Sequence, residues 1–185
     1  MELRRDQCPP FLLETDQLIE FRRQSVCRAC ALHEQATTIG IPSRASNFGV
    51  GTHDQALVVI GEAPGYYEDT KGECWVGKAG RLLHDLLRLA KLPDYADIYL
   101  ANACRCRPPQ NMTPSGTQVR ACYPHLIEDI VRLFQQYDGR LLILCAGATA
   151  TKSVLGLSLS SAFQIQGRDV LLPDSEGSHI AVPAF

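Results

Sequence analysis

Ala56-Leu57-Val58-Val59-Ile60-Gly61-Glu62-Ala63-Pro64-Gly65 is the stretch on which the fold turns. Its first five residues are continuously apolar, and Gly61 and Pro64 stop the run before it is long enough for a helix. A short apolar run bounded in this way reads as a strand buried on both faces. Strands of that kind belong to parallel sheets with helices on either side. The chain then breaks into a sharp turn, where glycine and proline let backbone approach a ligand closely. Glu62 is the charged group of that turn, just past the strand's carboxyl end, where open α/β sheets place their ligands. Tyr66-Tyr67-Glu68-Asp69 adds aromatic surface and two further carboxylates. The competing reading is an ordinary strand-to-helix turn with solvated acids.

Outward from this stretch the alternation continues. Residues 78–91 carry Leu82, Leu83, Leu86, Leu87 and Leu89, a broad apolar helix face. Residues 97–106 read as a second strand. Thr113 is the expected cap of the next helix, with Pro114 in its first turn, and Val119, Cys122, Leu126, Ile130 and Leu133 recur at helical spacing. Residues 141–144 form a third buried strand that leads through Gly147 into a helix over 148–155. Residues 170–172 and 179–182 read as two last strands. Upstream, Gly49 and Gly51 mark a loop, and residues 14–31 read as a helix with Leu18, Phe21 and Val26 among its apolar positions. The expected fold class is therefore α/β, a three-layer α/β/α sandwich with a mainly parallel central sheet. No repeat, low-complexity tract or linker divides residues 1–185, so they read as one domain.

The 185 residues are 45% hydrophobic and 21% charged, a composition that folds into a core rather than staying disordered. The formal net charge of −2 gives no general electrostatic case for nucleic acid, so any such surface has to be local. Lys71, Lys78, Arg81, Arg105, Arg107 and Arg120 are the residues for a basic patch, against the alternative of scattered solvated charge. No apolar run approaches the length of a membrane span, and Met1-Glu2-Leu3-Arg4-Arg5-Asp6 is not followed by the apolar core of a signal peptide. The expectation is a reducing compartment without membrane partners. There the eight cysteines serve as ligands and buried thiols rather than as disulfides.

Four of those cysteines stand out. Cys27 and Cys30 form a C-x2-C pair, Cys106 sits in Arg105-Cys106-Arg107-Pro108-Pro109, and Cys122 lies in Ala121-Cys122-Tyr123. A tight pair and two distant thiols close a cage only if the fold unites them, and such a cage suits an iron–sulfur cluster or a structural zinc. Cys104 and Cys106 share one side of a strand, and spacing does not choose between them. Cys145 reads as a buried apolar thiol, and Cys8 and Cys74 have no evident partner.

Two more residues carry chemistry. Asn102 is a polar amide in the apolar segment Tyr99-Leu100-Ala101-Asn102-Ala103, and it offers a donor and an acceptor together, as the edge of a pyrimidine requires. The plainer reading is a core amide bonded to loop backbone. Trp75, the one tryptophan, lies in a turn-rich segment and serves either as a stacking surface for a base or as a core anchor. The sequence contains no H-x3-H spacing, no Walker-type phosphate loop and no G-x-S-x-G element.

Taken in order, these segments resemble the family 4 uracil-DNA glycosylases, the iron–sulfur branch of the uracil-DNA glycosylase superfamily. Gly61-Glu62-Ala63-Pro64-Gly65 with Glu68-Asp69 is similar to that family's first motif. Trp75-Val76-Gly77-Lys78-Ala79-Gly80 resembles its F-V-G-x-A-G segment with Trp for Phe. Asn102 through Pro109 resembles N-x-x-K-C-R-P-P with Arg for Lys, and Gly147-Ala148-Thr149-Ala150 resembles a later G-A-T-A turn. The resemblance implies a base-excision repair enzyme that hydrolyses the N-glycosidic bond of deoxyuridine in DNA and releases uracil. It implies a [4Fe-4S] cluster of structural role on Cys27, Cys30, Cys106 and Cys122. Glu62, with Glu68 next, is the expected catalytic carboxylate; Ala63, Gly65, Trp75 and Asn102 are the expected substrate contacts.

The expected partner is uracil-containing DNA, single- or double-stranded, bound by a monomer in the cytoplasm of a prokaryotic or phage-infected cell. The family also carries a later H-P-S/A motif whose histidine stabilises the departing uracil anion. The sequence reaches Ala181-Val182-Pro183-Ala184-Phe185 about where that motif begins, so the domain is expected to lack its C-terminal element, and His179 is in the wrong context to replace the histidine. Gln110-Asn111-Met112 contains no basic insert of the kind that traps uracil-DNA covalently in a related branch. Two other functions fit the same residues: a non-catalytic glycosylase-like DNA-binding module, and a glycosylase for another modified base.

Overall fold

The computed structural model describes residues 27–155 and the backbone of the strands Asp169–Pro173 and His179–Pro183. The helix expected over 14–31 lies outside the described residues except for its end. There residues 27–30 are irregular and lead into a 3₁₀ turn, Ala31–Glu34.

The elements follow the expected alternation. Strand β1 is Arg44–Ala45, β2 is Ala56–Gly61, helix α1 is Tyr66–Lys71 and α2 is Lys78–Leu89. Strand β3 is Asp97–Asn102, α3 is Gly116–Gln136, β4 is Leu141–Cys145 and α4 is Ala148–Leu155. The sheet order is β1-β3-β2-β4; β2 runs parallel to β3 and β4, and β1 is antiparallel to β3. The last strands, β5 (Asp169–Pro173) and β6 (His179–Pro183), pair antiparallel with each other in a two-stranded sheet of their own.

Central β2 is buried along its whole length, as its continuous apolar sequence demands. Ala56, Val58 and Ile60 point to one face, where Leu126, Ile127, Ile130 and Leu133 of α3 and Ala150 and Val154 of α4 cover them. Leu57 and Val59 point to the other, with Ile98 and Leu100 of β3, Leu87 of α2 and Ile41. Each such aliphatic side chain contributes ~1.5–3 kcal/mol by leaving water. The two faces make the three layers, and they fix the carboxyl ends of β2, β3 and β4 side by side.

Three features differ from the sequence reading. Strand β3 ends at Asn102 rather than near 106. The amides of Ala103 and Cys104 still bond the carbonyls of Gly61 and Glu62 at 2.8 and 3.0 Å, and the chain then leaves the sheet. Helix α3 is capped by Ser115, not Thr113, and Pro114 precedes it: Ser115 Oγ accepts from the Gln118 amide at 3.3 Å while Gln118 Oε1 accepts from the Ser115 amide at 2.8 Å. That reciprocal pair satisfies two backbone donors, which a cap at Thr113 would not. On α2 only Leu87 is fully buried; Leu82, Leu86 and Leu89 are 60%, 53% and 81% exposed, so the expected broad apolar face is narrow.

Candidate active site

The turn after β2 is held open by glycine. A Cβ at Gly61 would lie 2.6 Å from Asn102 Oδ1 and 2.7 Å from Trp75 Cζ2, so a side chain there would displace both. The close approach brings the indole and the amide together at the carboxyl ends of β2 and β3, which pair Gly61 with Asn102. Trp75 has φ +60°, a left-handed backbone that a bulky L-residue rarely adopts. Its indole N–H donates to the Ala101 carbonyl at 2.9 Å, and Gly80 leaves room for its backbone carbonyl. Ring and backbone are thus pinned, and the side chain is only partly buried. The Asn102 side chain is half-buried and makes no hydrogen bond to any described residue.

Glu62 is half-buried beside this pair. Strand β4 passes its last amide bond to β2 (Ala146 N–H to Ile60 carbonyl, 2.8 Å), and Gly147 at φ +101° redirects the chain into α4. The first turn of α4 then presents Thr149, whose hydroxyl donates to Glu62 Oε2 at 2.5 Å. Sequence reasoning missed this partner; its only trace was the G-A-T-A turn.

The other carboxylates of the turn are engaged differently. Glu68 accepts from the Gly65 amide at 3.1 Å and from the Gly77 amide at 2.8 Å, bracing the two glycine-bearing segments against each other. The Gly65 N–H is therefore already bonded. Asp69 is buried and accepts from the amides of Thr37 and Thr38 at 3.1 and 2.9 Å. This joins α1 to the loop whose Gly40 amide donates to Cys106 Sγ at 3.2 Å.

Cys104, Cys106 and Cys122 are buried in one cluster with Leu32, and Cys30 and Ala63 pack against it. Cys27 is buried and lies within electrostatic reach of Cys30 and Cys106. Burial, with Cys122, Cys27 and Cys30 nearby, pushes Cys106 up to about 12. Cys122 rises to about 12, mainly through its hydrogen bond with Cys104, and Cys30 rises further still, mainly through its bond with Cys122. Besides Gly40, the Arg105 amide donates to sulfur, to Cys122 Sγ at 3.5 Å. A buried group of thiols with backbone N–H donors aimed at sulfur fits a cationic centre that takes thiolates. Among the described residues no three His, Cys, Asp or Glu side chains are placed to hold a single metal ion.

Comparison with known proteins now decides the family. The profile of the uracil DNA glycosylase superfamily matches residues 48–183. A type-4 uracil-DNA glycosylase of Thermotoga maritima is 31% identical over 172 residues, 92% of this chain and 81% of that protein. This chain belongs to the type-4 uracil-DNA glycosylases. The Archaeoglobus fulgidus member is 35% identical over 131 residues, 71% of this chain, and the chain spans 59% of that relative's length. The Sulfurisphaera tokodaii member is 28% identical over 174 residues, 92% of this chain and 74% of that protein.

In this type-4 chain the structure brings Glu62, Trp75 and Asn102 to one end of the sheet and gathers Cys30, Cys106 and Cys122 in one cluster against which Ala63 packs, with Cys27 within electrostatic reach. Cys104 is as buried as its neighbours and bonds Cys122, so geometry keeps it among the cage thiols. Cys74 has a partner after all, donating to the Leu100 carbonyl at 3.3 Å, and Cys145 is only half-buried, where its apolar strand suggested a buried thiol. The basic patch loses Arg105. That side chain is buried against Asp129, which also accepts from Ser43 at 2.8 Å, and it donates to the His125 carbonyl at 3.1 Å. Lys71, Lys78, Arg81 and Arg120 are exposed, and Arg107 is half-buried. No helix among the described residues is long and apolar enough to cross a membrane.

Proposed function

We propose that this chain is a DNA repair glycosylase that hydrolyses the N-glycosidic bond of deoxyuridine in DNA and releases uracil. The observation that carries the reading is Glu62: a carboxylate past the end of β2, held by Thr149 and next in chain to Gly61, which Trp75 and Asn102 flank. A base stacked in a duplex is out of reach, so the nucleotide is flipped out or taken from a single strand. Cleavage then develops oxocarbenium character on the sugar. Glu62 offsets that charge and holds the attacking water, and the Thr149 hydroxyl holds the carboxylate in orientation. Trp75 stacks on the flipped base, a contact worth ~1–3 kcal/mol. Asn102, whose side chain bonds no described residue, offers a donor and an acceptor to the uracil edge, a pattern cytosine does not match.

Ala63 and Gly65 shape the backbone around the base. Because the Gly65 amide is bonded to Glu68, we assign Glu68 to bracing the turn ahead of chemistry. Cys27, Cys30, Cys106 and Cys122 would hold a [4Fe-4S] cluster, whose role when bound would be to cross-link the segments around the site rather than to turn over electrons. The substrate is uracil-containing DNA, single- or double-stranded, and the enzyme works as a monomer in the cytoplasm.

The test is base release from an oligonucleotide with one uracil, read on a denaturing gel after alkaline cleavage. Cleavage at the uracil, lost in Glu62→Gln, supports the proposal. DNA binding without release points to a binding module, and release of a different modified base points to altered specificity.

A further inference from the structure

We propose that Tyr66, Tyr67 and Arg107 form a landing surface for the single-stranded segment beside the excised nucleotide, the tyrosines stacking on its nearest base and Arg107 meeting the adjoining phosphate. The inference rests on the glycosylase reading and names a contact that reading does not contain. Tyr66 and Tyr67 open α1 directly after Gly65, so the surface continues from the site turn. They are 56% and 55% exposed and meet edge to face, with ring centroids 5.7 Å apart at 77°. Neither hydroxyl bonds a described residue, and neither ring belongs to the core. Two adjacent aromatics left half in water form an exposed apolar patch of the kind that marks interaction sites.

The charge at this patch is the one a nucleic-acid backbone requires. The Arg107 guanidinium lies 5.1 Å from the Tyr66 centroid, and its Nε donates to Asn111 Oδ1 at 2.7 Å. Asn111 is offered by a turn in which Gln110 and Asn111 both take left-handed backbone, at φ +53° and +56°. Such conformations persist in non-glycine residues where the surroundings over-determine them, commonly at functional sites. The product visible here is a guanidinium held over a ring by its Nε bond, and two NH₂ groups that bond no described residue are left to meet a phosphate. The carboxylates of α1 are turned away: Asp69 bonds Thr37 and Thr38, and Glu68 bonds Gly65 and Gly77. Stacking accepts any base, so this surface adds affinity for unpaired flanking nucleotides without reading sequence.

The experiment uses the full chain and a single-stranded oligonucleotide with a non-cleavable deoxyuridine analogue and 2-aminopurine at the adjacent position. Wild-type protein should quench the 2-aminopurine on binding. Tyr66→Ala and Tyr67→Ala should abolish the quenching and raise Kd about tenfold, with Tyr66→Phe retaining both. Arg107→Ala should weaken binding and lower the slope of log Kd against log salt by about 0.7, one phosphate contact on a single strand. Wild-type affinity and quenching in Tyr66→Ala, or an unchanged salt slope in Arg107→Ala, would overturn the proposal, as would no DNA binding by wild type. These readouts do not depend on base release. Quenching lost in the variants of a protein that binds but releases no uracil would support the surface while the glycosylase reading fails.

Discussion

At the amino end of β3, Asp97 is fully buried and ringed by donors. Tyr137 bonds it at 2.7 Å, His53 at 2.9 Å, the Thr52 hydroxyl at 3.2 Å, and the Gly51 amide closes on it as well. At the carboxyl end of neighbouring β2, Glu62 is half-buried, and one described side chain, Thr149, donates to it. Both are carboxylates at the tips of paired strands. Asp97 has every lone pair spoken for and ties the loop over 49–54 to α3, which is work for stability. Glu62 retains capacity to accept, next to an amide that bonds no described residue and a tryptophan on unusual backbone, a combination suited to binding and chemistry rather than to stability.

Exchanging the two carboxylates for amides tests this contrast. Glu62→Gln should lower single-turnover base release by about 10²–10⁴-fold with an unchanged melting temperature. A folded Glu62→Gln with near wild-type release would remove Glu62 from the chemistry. Asp129→Ala, in the buried pair with Arg105, should cost ~3–5 kcal/mol in denaturant unfolding because the guanidinium is left buried without its counter-charge. The double change Arg105→Met with Asp129→Leu should recover much of that loss; no recovery would mean the pair is not the cause. Asp97→Asn should cost ~1–3 kcal/mol, since an amide meets donors with a donor.

The pH dependence sharpens the same point. Burial alone would raise the Asp97 carboxyl, but hydrogen bonds from Tyr137, His53, Gly51 and Thr52 override it and hold it at about 2, below its ordinary 3.8. A depressed native pKa contributes stability above the unfolded value and loses it as pH falls from about 4 toward 2. Asp97→Asn should flatten that part of the stability profile, and a slope identical to wild type would show that other groups set it. The smallest effect is expected at Thr149. Thr149→Ala should slow base release about tenfold and Thr149→Ser should restore it, because one hydrogen bond to a charged group is worth ~1.5–3 kcal/mol at most. Equal rates in both variants would deny Thr149 a part in aligning Glu62.

Much of the fold was legible because its signals are local. The apolar run of β2, the Gly-Pro turn, the α3 periodicity and the strand at 141–144 each declare themselves within a few residues, and the structure has them at nearly those bounds. The misreadings are also instructive. Arg105 read as surface charge because its partner Asp129 is 24 positions away on another element. Thr149 stands 87 positions from Glu62, and nothing near either one announces the other. The leucines of α2 read as one broad face, although helix periodicity does not report how wide a stripe the sheet will cover. Thr113 lost the cap to Ser115 because only Ser115 has Gln118 three residues on.

The sequence by itself determined the strand-and-helix alternation, the glycine positions where side chains must come close, and the residue types for a carboxylate, an amide, an indole and a thiol cage. These follow from backbone propensity, apolar period and chemistry carried by single residues. Only the tertiary structure decided which groups meet: Glu62 with Thr149, Gly61 with Trp75 and Asn102, Arg105 with Asp129, and Cys104 beside Cys122. Those contacts depend on the parallel register of β2 between β3 and β4, and a register is set by the packing of whole faces rather than by any short segment of chain.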